Sequence, residues 1–221
     1  MSQLAKNTVK AENQLAEDEY IKYYPGGDEL KALFVGNSIT RHGICKEIEW
    51  LGDYGMAASA EEKDYVHILM REISKKQDAS YCVCQASAWE THYKNSKEVY
   101  DLFRRARDFE ADLIIMRLVE NVPVAEFNGE LFREQYVKFI EYLNTKSTAK
   151  IIVTDGFWKH PGDLFIEQVA KEKGYEFVTL GDLGEMDEMK AVGLFEHSGV
   201  AQHPGDKGME QIAARILDKI L

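Results

Sequence analysis

Three side chains with the makings of nucleophilic chemistry stand in three separate loops of this sequence. Ser38 lies in Gly36-Asn37-Ser38-Ile39-Thr40, directly after an apolar run at 32–35. A serine hydroxyl is a poor nucleophile until a neighbouring base removes its proton. His203 lies in Gln202-His203-Pro204-Gly205-Asp206, where Pro204 stiffens the backbone beside it, as suits a side chain held in place. Asn121, in Arg117-Leu118-Val119-Glu120-Asn121-Val122-Pro123, carries a side-chain N–H that can bond to a developing oxyanion. Each residue also has a plainer reading. A serine after a strand is a common helix cap, Glu-Asn is ordinary turn chemistry, and most loop histidines are simply solvated.

The elements that carry these loops alternate in type. Residues 32–35 read as a buried strand after the turn signal Pro25-Gly26-Gly27-Asp28, and Gly36 permits a sharp exit. Ser59-x-x-Glu62 is a capping-box pattern, followed by Val66, Leu69, Met70 and Ile73 at helical spacing. Strand patterns recur at 79–85, 112–116, 150–154 and 175–180. Helices are expected after Asn95-x-x-Glu98 and over 129–143 and 163–173. A closing helix carries Met209, Ile212, Ala213, Ile216, Leu217 and Ile220, with Asp206 as its cap. This alternation predicts an α/β fold: one three-layer αβα domain over 29–221 with about five parallel strands. Residues 1–28, polar and acidic with one helix near 9–19, read as an N-terminal extension. Ligands bind beyond the carboxyl ends of such strands. The working rim is therefore expected in loops 36–58, 86–94, 117–128, 155–162 and 181–205.

The chain has 221 residues, 27 Lys+Arg against 38 Asp+Glu, and a net charge of −11. Phosphate binding needs a basic surface, so neither nucleic acid nor an anionic membrane is expected as partner. The amino terminus has no apolar signal region and no window reaches a membrane span, which points to a cytoplasmic protein. Three cysteines make no disulfide framework. Cys82 and Cys84 alternate along a strand, share one face, and read as packed thiols rather than metal ligands.

In this order the loops resemble the blocks of the SGNH hydrolases, the GDSL esterase/lipase superfamily. Gly36-Asn37-Ser38-Ile39-Thr40 is similar to the first block, Glu120-Asn121 to the third and His203-Pro204 to the last. Gly52-Asp53-Tyr54-Gly55-Met56-Ala57-Ala58-Ser59 and Gly199-Val200-Ala201-x-His203-Pro204-Gly205-Asp206 resemble a bacterial branch, and the likeness covers 31–221. It implies the flavodoxin-like SGNH fold and an esterase acting on a small-molecule ester, an O-acetyl ester of a carbohydrate by analogy, without metal or cofactor. Ser38 becomes the nucleophile and His203 the base. The Ser38 N–H and the Asn121 side chain become oxyanion donors. Three positions depart from the pattern. Val200 stands where an Asp usually orients the histidine, leaving a backbone carbonyl, Glu196 or Asp182 for that task. Val119 stands where the third block has glycine. Gln85-Ala86-Ser87 replaces an Asn-x-Gly, which leaves Gly55, in the long loop after Ser38, as the candidate oxyanion glycine.

Asn37, Arg41, Glu120 and Trp158 are expected near substrate. His42 can line the pocket, and Trp50, Trp89 and Phe157 also fall in rim loops. Two other classes compete with the esterase. The missing Asp motivates a catalytically silent SGNH-fold protein that binds a ligand or partner at the same rim. A flavodoxin-like phosphate binder lacks the glycine patterns that bring backbone N–H groups onto phosphate.

Overall fold

The strands of this chain are apolar on both faces, which is what a sheet covered by helices on each side demands. In the computed structural model, which describes residues 20–220, six strands line up in the order β1-β3-β2-β4-β5-β6. They are β1 (Ile21–Tyr24), β2 (Leu30–Gly36), β3 (Ala79–Gln85), β4 (Leu113–Arg117), β5 (Lys150–Thr154) and β6 (Glu176–Val178). All neighbouring pairs are parallel except β1 with β3. The five expected strands are therefore present, and a sixth joins them. Ile21–Tyr24 belongs to the sheet rather than to an extension reaching residue 28, since Ile21 is wholly buried opposite Cys84. The expected helix near 9–19 lies outside the described residues.

Period-two alternation sorts the core. Leu33, Val35, Cys82, Cys84, Ile114, Met116, Ile151 and Val153 pack on one face. They meet α2 (Ser87–His92), α3 (Arg104–Asp108), α4 (Gly129–Leu143) and α5 (Asp163–Lys173). Ala32, Phe34, Tyr81, Val83, Leu113, Ile115 and Ile152 pack on the other, against α1 (Tyr65–Ser74) and the closing helix, α7 (Asp206–Ile220). A short helix, α6 (Ser198–Ala201), lies just before His203. Cys82 and Cys84 are buried free thiols on one face, as their alternation implied.

Two expected caps are replaced. Asp64 caps α1 by accepting from the His67 N–H at 2.7 Å, while Ser59 instead donates to Asp206 across the fold. Asp206 opens α7, but its carboxylate is taken by Ser59 and Lys63. The helix expected after Asn95 is a run of 3-10 turns, Tyr93–Phe103, broken at Asn95 itself. Among the described residues no helix is long and apolar enough to cross a membrane.

The register matters for the site. Gly36 pairs with Gln85 on one side and Arg117 on the other, so three strands end level. The chain leaves β2 for β3 on one side and returns as β4 on the other. That reversal opens a crevice at the strand ends.

Candidate active site

Immediately past Gly36 the chain turns tightly, with Thr40 and Arg41 N–H groups both donating to the Asn37 carbonyl. A Cβ on Gly36 would lie 1.8 Å from Thr40 Oγ1 and 3.1 Å from the Arg117 carbonyl, so only glycine fits this approach. The turn presents Ser38 at the rim, and the Met56 N–H fixes its carbonyl at 2.9 Å. Ser38 Oγ lies 2.8 Å from His203 Nε2, although 165 positions separate them. The Ser38 backbone N–H has no hydrogen-bond acceptor among the described residues.

His203 is oriented by a carbonyl. Its Nδ1 lies 2.8 Å from the Gly199 oxygen at the start of α6. A carbonyl only accepts, so Nδ1 carries the proton and Nε2 is left with the lone pair that faces Ser38. Trp158 packs edge-on against the ring, with centroids 5.0 Å apart. Burial is the main influence on the imidazole and brings its pKa down to about 4, so the ring is neutral at pH 7. Neither candidate carboxylate stands behind it. Asp182 is clasped by Arg215, and Glu196 is exposed to solvent. Val200, at the position of the expected acid, is buried with Trp50, Met56, Ala57 and Ala191.

Asn121 rests on a buried carboxylate that its own sequence neighbourhood does not reveal. Asn121 Nδ2 donates to Glu90 Oε2 at 2.6 Å, and its backbone N–H to Glu90 Oε1 at 3.3 Å. Asn37 Nδ2 bridges Glu90 Oε1 at 3.0 Å and Glu120 Oε2 at 2.6 Å. Arg117 donates to Glu120 at 2.5 Å and to Asn37 Oδ1 at 2.8 Å, and the Phe157 N–H completes Glu120 at 2.9 Å. Asn37, Glu90 and Arg117 are wholly buried. With two carboxylates and one guanidinium, burial first and Glu120 second push Glu90 up to about 7.

These contacts reassign several expected substrate residues. Asn37 and Glu120 brace the turn from beneath rather than facing the pocket. Arg41 is turned away onto Asp53, at 2.8 and 3.1 Å. Gly55 is not available as an oxyanion donor, because its N–H is spent on Asp64 Oδ2 at 2.8 Å in a buried position. Of the four rim aromatics only Trp158 touches the Ser38–His203 pair. Trp89 and Phe157 are core residues, and Trp50 donates to the His42 carbonyl within a satellite cluster.

A cavity of about 380 Å³ opens over the pair. Ile48, Met56 and Val200 give it an apolar side, and His42, Gln85, Ser87, Thr91 and Asn121 a polar one. Sequence reasoning missed Glu90, and it allowed for a backbone carbonyl behind His203 without naming Gly199 as its source. A glutamate three residues into a helix looks like solvated surface, and only the strand ends bring it beneath Asn37 and Asn121.

No protein-family model matches the sequence, and no curated protein sequence matches it. Solved structures match in fold. A psychrotrophic esterase, EstA, from Pseudoalteromonas sp. superposes with a TM-score of 0.54 at 12% identity, covering 87% of this chain and 97% of that one. An acetyl xylan esterase, AlAXEase, gives 0.53 at 14%, covering 87% and 100%. A family two carbohydrate esterase from Clostridium thermocellum, seen with cellohexaose, gives 0.55 at 14%, covering 87% of this chain and 63% of that one. The chain thus has the flavodoxin-like SGNH fold that its sequence blocks implied.

Proposed function

We propose that this protein is a serine esterase that hydrolyses small acyl esters through a Ser38–His203 dyad. The observation that carries this reading is the 2.8 Å contact between a serine at the mouth of the sheet and a neutral imidazole whose tautomer is already set. In acylation, His203 Nε2 takes the Ser38 proton as Oγ bonds to the ester carbonyl carbon. The carbonyl electrons move onto oxygen, where the Ser38 N–H and Asn121 Nδ2 stabilise the charge. His203 then protonates the departing alcohol. Water repeats the sequence on the acyl-serine, releasing the acid and restoring Ser38. The Gly199 carbonyl does the orienting part of a triad acid's work. It contributes less to stabilising the imidazolium, so slower turnover than in a full triad follows.

The apolar side of the cavity suits a short acyl chain and its polar side a hydroxylated alcohol. Acetyl and carbohydrate esters are the class this supports, in keeping with the acetyl xylan and carbohydrate esterases that share the fold. A fluorophosphonate should label the wild type at Ser38, and Ser38→Ala should lose both labelling and turnover of p-nitrophenyl acetate. Labelling at another residue would overturn the assignment. The missing carboxylate behind His203 favours one other reading, a ligand-binding protein on this fold. That reading predicts no ester turnover, with ligand binding indifferent to His203→Ala.

A further inference from the structure

We propose that Glu90 is a positioning residue whose ionised carboxylate holds the Asn121 amide in its donating orientation, so that activity follows the ionisation of Glu90. This rests on the reading of Asn121 as oxyanion donor. Three N–H groups converge on Glu90 from two loops: Asn37 Nδ2, the Asn121 backbone and Asn121 Nδ2. Only the ionised form accepts from all three while presenting no hydrogen of its own. One hydrogen of the Asn121 amide is then committed to Oε2, and the other remains for the cavity, whose wall Asn121 forms. A proton on Oε2 would meet that N–H head-on, and the amide would rotate until Oδ1 accepted from Glu90 instead.

The charged and titratable groups around Glu90 are Glu120 and Arg117 from β4 and its loop and Tyr136 from α4, while His203 faces Arg117, Glu120 and His42. Arg117 pairs with Glu120, and among the described residues Glu90 makes no ion pair of its own. Burial and the Glu120 charge push Glu90 up to about 7, whereas burial holds His203 down to about 4. A kinetic limb near neutrality therefore belongs to the carboxylate and not to the base, and the two are separable.

The test is kcat for p-nitrophenyl acetate against pH in wild type, Glu90→Gln, Asn121→Ala and the double variant, with side-chain amide NMR of Asn121. Wild type should gain activity as pH rises through about 7. Glu90→Gln should lose about 10–100-fold in kcat with little change in KM, lose the limb near 7, and keep the limb near 4. In the Asn121→Ala background the same change should cost less than about threefold, because both act through one amide. The Asn121 amide resonances, assigned by their absence in Asn121→Ala, should titrate near 7 in wild type, a readout that survives if Glu90→Gln fails to fold. A neutral limb retained in Glu90→Gln, losses that multiply in the double variant, or an amide that does not titrate would each overturn the proposal. An amide that titrates near 7 in a protein that turns over no ester would support the Glu90 coupling and overturn the esterase reading.

Discussion

The two sides of the Ser38–His203 contact are built from opposite materials. Beneath the Asn37 and Asn121 amides lies a lattice of two carboxylates and one guanidinium, Glu90, Glu120 and Arg117. Behind His203 there is a single backbone carbonyl, an indole edge and the apolar cluster of Trp50, Met56, Ala57, Ala191 and Val200. The carboxylate absent from behind the histidine is present in duplicate behind the asparagines. Orientation can be supplied by a carbonyl as well as by a carboxylate, but charge compensation cannot. The base side therefore relies on burial to keep the imidazole neutral, and the oxyanion side relies on charge to hold its amide.

The two sides also titrate in opposite senses. His203 is lowered from 6.5 to about 4, so the unfolded chain binds the extra proton between those values. That side loses stability as pH falls through this window. Glu90 is raised from 4.5 to about 7, so the folded state binds the extra proton, and that side loses stability as pH rises through its own window.

Breaking the base side should give the largest kinetic loss. His203→Ala removes the one side chain that, among the described residues, hydrogen-bonds Ser38 Oγ, and kcat should fall by about 10⁴-fold, the upper range for a positioned general base. Stopped assays with p-nitrophenyl acetate check this, and thermal unfolding should show the fold intact. A variant within tenfold of wild type would show that the 2.8 Å contact is not the catalytic one. Breaking the other side should act on stability first. Arg117→Leu leaves Glu90 and Glu120 buried without a counter-charge, and removing one partner of a buried ion pair costs about 3–5 kcal/mol. Denaturant unfolding near pH 7.5 should show that loss, and acidification toward pH 5 should recover part of it as a carboxylate takes up a proton. A neutral result would mean the lattice is not held by charge.

What the sequence made legible follows the same division. The strands and most helices were readable because period-two and helical apolar patterns are local, and β2, β3, β4 and β5 fall where those patterns place them. Ser38 and His203 were expected to meet because each sits in a recognisable block, Ser38 just past the end of β2 and His203 between α6 and α7, and the two lie 2.8 Å apart. The lattice was not legible. Asn37 and Glu120 read as pocket or turn residues, while Arg117 and Glu90 drew no role, since four polar residues from two loops, a strand end and a helix give no periodic signal. Their roles exist only once Gly36, Gln85 and Arg117 end side by side. Gly55 failed for a similar reason, because its N–H is claimed by Asp64, the residue that also caps α1. Ile21–Tyr24 was overlooked because a four-residue edge strand with one buried side chain is too short to show alternation.

The smallest expected effect bears on the apolar side alone. Trp158 touches His203 edge-on at 5.0 Å and reaches no acceptor on the ring. Such a contact is worth about 0.5–1.5 kcal/mol, so Trp158→Leu should lower kcat on the alkaline plateau by roughly two- to tenfold. The informative change is in the acid limb. If burial is what holds the imidazole near 4, admitting water beside the ring must raise its pKa toward the ordinary 6.5, and the limb must move to higher pH. The Glu90 limb near 7 should stay where it is, because Trp158 contributes nothing to the lattice. A pH profile in which kcat drops while the acid limb stays fixed would show that the indole only packs the loop. The base side would then owe its neutrality to burial by the apolar cluster alone, working against the Gly199 carbonyl, which raises the imidazole's pKa.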